Sequence, residues 1–263
     1  YDAKRTIVAI AKHGTRLKGV SFDVLLGAYL LDTNDLGTDM AAVAQQYGYT
    51  EIQSDVSIYG KGAKRALPED GVMFEHLARK IKVIKGLTNQ LEEALAEKNQ
   101  DQLFHQMELP LSEVLAEMEI IGITVDSERL EHMRVDFAKR LHDIETKIYE
   151  MAGETFNLNS PKQLGVILFE KMGLPVIKKT KTGYSTAVDV LEQLREQAPI
   201  VDDILIYRQI SKIQSTYIEG LLKMIQADGR VHTRYVQTLT QTGRLSSVDP
   251  NLQNIPIRLE EGR

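Results

Sequence analysis

Two polar segments hold the residue types that binding chemistry most often uses. Thr242-Gly243-Arg244-Leu245-Ser246-Ser247 leads within a few positions to Asn251, Gln253 and Asn254. An arginine beside a glycine lets guanidinium and bare backbone approach a ligand together. Asn and Gln both donate and accept, which suits base edges in a groove. The same composition also describes a polar loop whose amides satisfy their own backbone. The second segment, Lys178 to Thr186, places three lysines and four Ser/Thr hydroxyls in nine residues. Lysine charge with directed hydroxyl and amide donors, just before a helix, suits phosphate oxygens. A solvated turn has the same make-up.

Other titratable groups show no such pattern. His13, His76, His105, His132, His142 and His232 are scattered. His132 and His142 share a helix but stand ten apart, with no third ligand in the pattern. Glu108, Glu113, Glu117 and Glu119 read as a solvated helix face. Gly60-Lys61-Gly62-Ala63-Lys64 lacks the spacing of a phosphate loop. Having no cysteine, the chain forms no disulfide, thiolate nucleophile or cysteine zinc site.

The elements that must position these segments fall into three regions. Up to about residue 103 the pattern is of short amphipathic helices. One covers Phe22 to Leu30, another follows Asp39, and a longer one after Pro68 carries Phe74, Leu77, Ile81, Ile84 and Leu87 at helical spacing. Ser57 to Arg65 reads as a loop. Few strand patterns occur here. Leu103 to Ile121 reads as one helix with a kink or break at Pro110. Asp126 or Ser127 caps a helix to about Met151, closed by Gly153. Ser160-Pro161 starts a helix running to Lys171, and a last long helix runs from Val201 through Tyr217 toward Met224. Val231 to Gln237 alternates as a strand does, and Leu239 to Arg244 continues extended.

The 263 residues carry a net charge of −5, which on its face does not suggest a nucleic-acid partner. The charge is uneven: residues 1–100 are neutral, 101–150 carry −7 and 151–263 carry +2. No apolar stretch approaches the roughly 20 residues that cross a bilayer, and the start is no signal peptide. No initiator Met opens the chain and no closing element follows the last strand and turn, so both ends read as cut from a longer protein.

The motif from Thr242 through Ser247 to Asp249-Pro250-Asn251-Leu252-Gln253-Asn254-Ile255-Pro256-Ile257-Arg258 resembles the first polymerase motif of family A DNA polymerases. Phe156-Asn157-Leu158-Asn159-Ser160-Pro161-Lys162-Gln163-Leu164, Lys178-Lys179-Thr180 and Gln214-Ser215-Thr216-Tyr217 resemble the thumb of that family. The wording is closest to the large-fragment DNA polymerase I type of Gram-positive bacilli. The resemblance implies an α+β, mostly helical fold. Residues 1–103 would be the C-terminal part of a ribonuclease H-like 3′–5′ exonuclease domain, 104–222 a long-helix thumb and its base, and 223–263 the first strands of a palm.

The resemblance also implies roles. Arg244 would enter the minor groove near the primer end, with Asn251, Gln253 and Asn254 beside it. Asn157, Asn159, Ser160, Lys179, Lys212, Ser215, Thr216 and Tyr217 would hold the sugar-phosphate backbone. The partners would be primer-template DNA and deoxynucleoside triphosphates, with Mg2+ held in the parent enzyme by residues outside this chain and none bound here. In the exonuclease part Asp2 matches a motif aspartate, but His76 and Lys80 stand where relatives have tyrosine and aspartate. A lysine there repels a divalent cation, so that domain is expected to be vestigial. The expectation is a piece of a cytoplasmic, monomeric replication and repair polymerase that lacks the catalytic aspartate motifs. The competing reading is a helical protein-interaction module with no DNA role.

Overall fold

The computed structural model describes residues 1–34, 39–181 and 183–256. Thr182 of the basic segment, Ile257 and Arg258 of the C-terminal motif, and residues 259–263 lie outside the described residues. In chain order the elements are α1 (Ala3–Ala11), α2 (Val24–Leu31), α3 (Met40–Gln46), α4 (Asp55–Tyr59), α5 (Asp70–Glu97), α6 (Asp101–Leu103), α7 (Leu109–Ile121), β1 (Ile123–Thr124), α8 (Ser127–Ala152), α9 (Pro161–Gly165), β2 (Lys179–Thr180), β3 (Gly183–Tyr184), α10 (Val188–Leu194), α11 (Pro199–Lys212), α12 (Glu219–Met224), β4 (Arg230–Val231), β5 (Arg234–Val236) and β6 (Ser246–Val248). The fold is thus mostly helical, with small sheets. The described residues form two compact units, one of Tyr1–Ile123 with His232–Gln253 and one of Thr124–Val231 with residues 254–256.

In the first unit, side-chain caps start the short helices. Asp23 accepts from the Leu25 amide, Asp39 from Ala41 and Ser54 from Ser57. The α4 helix begins at Asp55, so Ser57 to Tyr59, expected in a loop, are helical. With 28 residues, α5 is about 42 Å long. Its inward face is His76, Val83, Leu87, Leu91 and Leu95, which pack on α2 and the short helices around it. Of the series at helical spacing, Leu87 is buried, while Phe74 and Ile81 are 61% and 69% exposed. Periodicity located the helix, but its first half turns that stripe outward. Gly86 lies under Tyr49: a Cβ there would stand 2.0 Å from the Tyr49 hydroxyl.

The Leu103–Ile121 segment stays helical through Pro110, so of the expected kink or break the break does not occur. A π turn over Phe104–Glu108 links α6 to α7. Pro110 is the second residue of α7, directly after that π turn. At the other end Gly122 has φ +69°, and a Cβ there would stand 2.7 Å from the His232 ring. Both backbone and space therefore demand glycine. Between β5 and β6 the chain is not extended from Leu239 to Arg244 as expected. Strand pairing is confined to Arg234–Val236 against Ser246–Val248, antiparallel, with Tyr235 opposite Ser247.

In the second unit, Asp126 accepts from the Arg129 amide to start α8, and Gly153 at φ 76° ends it. Helix α11 packs along α8. The core joins Ile148 of α8 to Leu164, Leu168, Leu191, Leu194, Ile200 and Ile204. Two helices expected to be regular contain π turns: α9 runs into one at Val166–Lys171, and α11 reaches α12 through one at Ile213–Ile218. The basic segment is no open loop either. β2 and β3 pair antiparallel, Lys179 opposite Tyr184 and Thr180 opposite Gly183.

Leu91 is fully buried in the first unit's core. Truncating it to alanine removes apolar burial and leaves a cavity, so Leu91→Ala is expected to destabilise that unit by about 2–5 kcal/mol. Urea denaturation followed by circular dichroism measures the loss.

Candidate nucleic-acid interface

The candidate contact residues are divided between the units. In the second, Asn157, Asn159 and Ser160 lie on the turn before α9. Asn157 Oδ1 accepts from the Asn159 amide at 2.9 Å, and Gln163 Oε1 accepts from the Asn157 amide at 2.8 Å. Ser160 Oγ caps α9 through the Gln163 amide. The Asn159 side chain bonds to the Tyr207 hydroxyl. Behind this turn Tyr149 donates to the Phe156 carbonyl, 2.6 Å away, and meets the Glu145 carboxylate at 2.9 Å. Burial, and then that carboxylate, push its ionisation up to about 12, so it remains a donor at neutral pH.

The turn forms one wall of an open cavity of about 840 Å³. Thr180, Ser185, Thr186 and Arg208 line the facing side. Arg208 donates through one Nη to the Thr186 carbonyl and through the other to Thr186 Oγ1 at 3.0 Å. Burial lowers its ionisation from the ordinary guanidinium range. Lys179 projects from the hairpin with Nζ 5.8 Å from the Tyr184 ring centre, within reach of a cation–π contact. Sequence reading found the lysines and missed the hairpin, which sets Lys179 and Tyr184 opposite each other.

Lys212, Ser215 and Thr216 are exposed at and just after the end of α11. The π turn there widens the backbone spacing, and Ser215 Oγ donates back to the Ser211 carbonyl. Tyr217 donates to the Asn254 carbonyl at 2.8 Å, fixing the backbone of that candidate residue.

In the first unit, Arg244 is exposed at the tip between β5 and β6. Asn251 Oδ1 accepts from the Gln253 amide. The Gln253 side chain clamps the β6 edge: its Oε1 accepts from the Ser247 amide and its Nε2 donates to the Leu245 carbonyl. Its amide is therefore engaged with the loop's own backbone. Thr233 Oγ1, Ser247 Oγ and the Pro250 carbonyl form a second lock.

The positions aligned with exonuclease motifs are also in the first unit. Asp2 caps α1 by accepting from the Arg5 amide. His76, 4% exposed, sets Nε2 2.8 Å from Asp55 Oδ1, and Lys80 donates to both Asp55 oxygens at 2.8 and 3.0 Å. Burial alone would raise the Asp55 carboxyl, but Lys80 and then His76 outweigh it and lower its ionisation below the usual carboxylate range. An ammonium thus engages both carboxylate oxygens, and this donor set does not fit a divalent cation. Asp55 carried no signal in the sequence, because its partners lie 21 and 25 positions away. Among the described residues no three His, Asp or Glu side chains group as metal ligands, and no helix is long and apolar enough to cross a membrane.

With this geometry in place, the relatives are informative. Residues 127–263 match DNA polymerase family A, and residues 1–87 match the ribonuclease H-like domain of DNA polymerase I. The chain belongs to DNA polymerase family A. Along its whole length it is 57% identical to DNA polymerase I of Bacillus subtilis and 54% identical to that of Geobacillus stearothermophilus, and it spans about 30% of the length of each. It also resembles, over its whole length and 43% of that chain, the solved POL domain of Pol1 from M. smegmatis in complex with DNA primer-template and dNTP, with a TM-score of 0.86 at 35% identity.

The depressed Asp55 ionisation gives a signed pH dependence. The contribution of Asp55 is complete above its unfolded value, about 3.9, and is lost as pH falls through the lower folded value. The stability gap between the parent chain and Asp55→Asn is expected to be flat near neutrality and to shrink below about pH 4. Urea midpoints between pH 3 and 7 measure it. A gap that instead widens in acid contradicts the assigned direction.

Proposed function

We propose that this chain is part of a DNA-directed DNA polymerase, an enzyme adding deoxynucleotides to a primer 3′ end in replication and repair. Its own task is to hold the primer–template duplex. The observation that carries the reading is the match of residues 127–263 to DNA polymerase family A. Primer-template and dNTP bound to the M. smegmatis relative support it. In this reading residues 1–103 are the end of the exonuclease-like domain, 104–222 the thumb and its base, and 223–263 the start of the palm. The parent would be monomeric and cytoplasmic and would use Mg2+, which supplies charge stabilisation for nucleotidyl transfer.

Each group has a stated task. Lys179, Lys212, Ser215, Thr216, Tyr217, Asn157, Asn159 and Ser160 offer charge, hydroxyls and amides to phosphate and sugar. Such contacts position a duplex without reading its sequence. Arg244, with Asn251, Gln253 and Asn254 near it, faces the minor groove, whose acceptors are alike for matched pairs. With Gln253 holding the loop, its part is to present Arg244 rather than to read a base. No residue of the chain is assigned to metal coordination, and the Asp55–Lys80 pair is assigned a structural role.

Fluorescence anisotropy with a labelled primer–template over a salt series tests the reading. Log affinity is expected to fall linearly with log salt. Lys179→Ala should weaken binding equally across sequences and reduce the slope by about 1. Failure of the folded chain to bind the junction at low salt supports the interaction-module reading instead. The purified 263-residue chain is expected not to extend a primer, as a radiolabelled extension assay would record.

A further inference from the structure

Resting on that reading, we propose that Tyr29, inside the ribonuclease H-like part, is a positioning residue for the Arg244 turn. Tyr29 is 4% exposed in α2. Its hydroxyl donates to the Thr240 carbonyl at 2.7 Å, and the Gly243 backbone reaches the same oxygen. Thr240 in turn donates from Oγ1 to the Arg244 carbonyl at 3.0 Å. A single phenol thus meets Thr240 and Gly243 within the five-residue turn from Thr240 to Arg244, in which Gly243 takes φ +73°. Packing alone needs only the ring. The hydroxyl is the atom that meets the turn.

The remaining ties leave this role to Tyr29. Gln253 holds Leu245 and Ser247, on the far side of Arg244. At the base of the hairpin, Glu119 accepts from the Tyr235 amide at 2.8 Å. Neither reaches Thr240 or Gly243. Burial, and then the charge of Glu108, raise the Tyr29 ionisation, so the hydroxyl keeps its proton for donation. A domain read as having Lys80 in place of a metal-binding carboxylate accordingly keeps a task, as a backstop for the Arg244 turn.

Tyr29→Phe and Arg244→Ala, made singly and together, test this. Hydrogen–deuterium exchange of 240–244 is read beside primer–template anisotropy. Tyr29→Phe is expected to speed exchange in the turn, leave the core around Leu91 protected, and weaken primer–template binding about threefold to tenfold, the scale of one hydrogen bond. In the Arg244→Ala background the same change is expected to cost nothing further. Unchanged exchange at 240–244 overturns the inference, as does an equal loss of affinity with and without Arg244. If Arg244→Ala alone leaves affinity intact, the DNA role of Arg244 fails, and the exchange data show separately whether Tyr29 holds the turn.

Discussion

A carboxylate withdrawn from water must find a cation or several N–H donors. Glu119, 6% exposed on α7, finds both: the Lys4 ammonium and the Tyr235 amide. Its own carbonyl accepts from or faces His232 Nδ1 at 2.7 Å. Lys4 belongs to α1 and Tyr235 to β5, so one side chain joins the start of the first unit to its last hairpin. One helical stretch earlier, Gln237 donates to the carbonyl and carboxylate of Glu108. Helix α7 is therefore the spine on which α1 and β5 are both hung. Removing either member of the buried ion pair alone would strand the other, at a cost of roughly 3–5 kcal/mol.

That spine shows where the sequence was legible and where it was not. Helix ends written in short-range chemistry were readable: Asp39, Asp126, Ser160 and Gly153 cap as their types require. Glu119 was not, because nothing local separates it from Glu113 and Glu117, which remain on the outer side. Its partners lie more than a hundred residues away along the chain. Phe74 and Ile81 fail in the converse way. Their spacing marks a helix, but spacing alone does not say which apolar stripe a neighbour covers. The candidate contact set rests on resemblance, and local chemistry does not set it apart from Lys162 and Arg208, which line the same cavity.

The C-terminal polar motif illustrates a division of labour that composition hides. Asn251, Gln253, Thr233 and Ser247 look equally available in sequence, yet each bonds to the hairpin's own backbone or to a neighbour within it. Arg244 stands exposed at the tip. A long flexible cation is most selective when its Cα is fixed, since fewer rotamers then remain to be lost on binding. Of the two readings that compete in the sequence, the self-satisfied polar loop describes Asn251, Gln253 and Ser247, while Arg244 is left exposed beside them.

The π turn at Ile213–Ile218 has a bearing on how the chain tolerates change. A π turn holds more residues per turn than the helix on either side of it. Each residue of an α-helix advances the face by about 100°. Deleting one residue between 213 and 218 would narrow the π turn to an α turn, and because the wider turn already absorbs that residue, α11 and α12 would fuse nearly in phase. Ile218, buried with Ile210 and Ile213, would then keep its face toward the core. What the deletion would alter is the wide turn itself, where Ser215 and Thr216 are exposed, so the extra residue shapes that surface rather than the core.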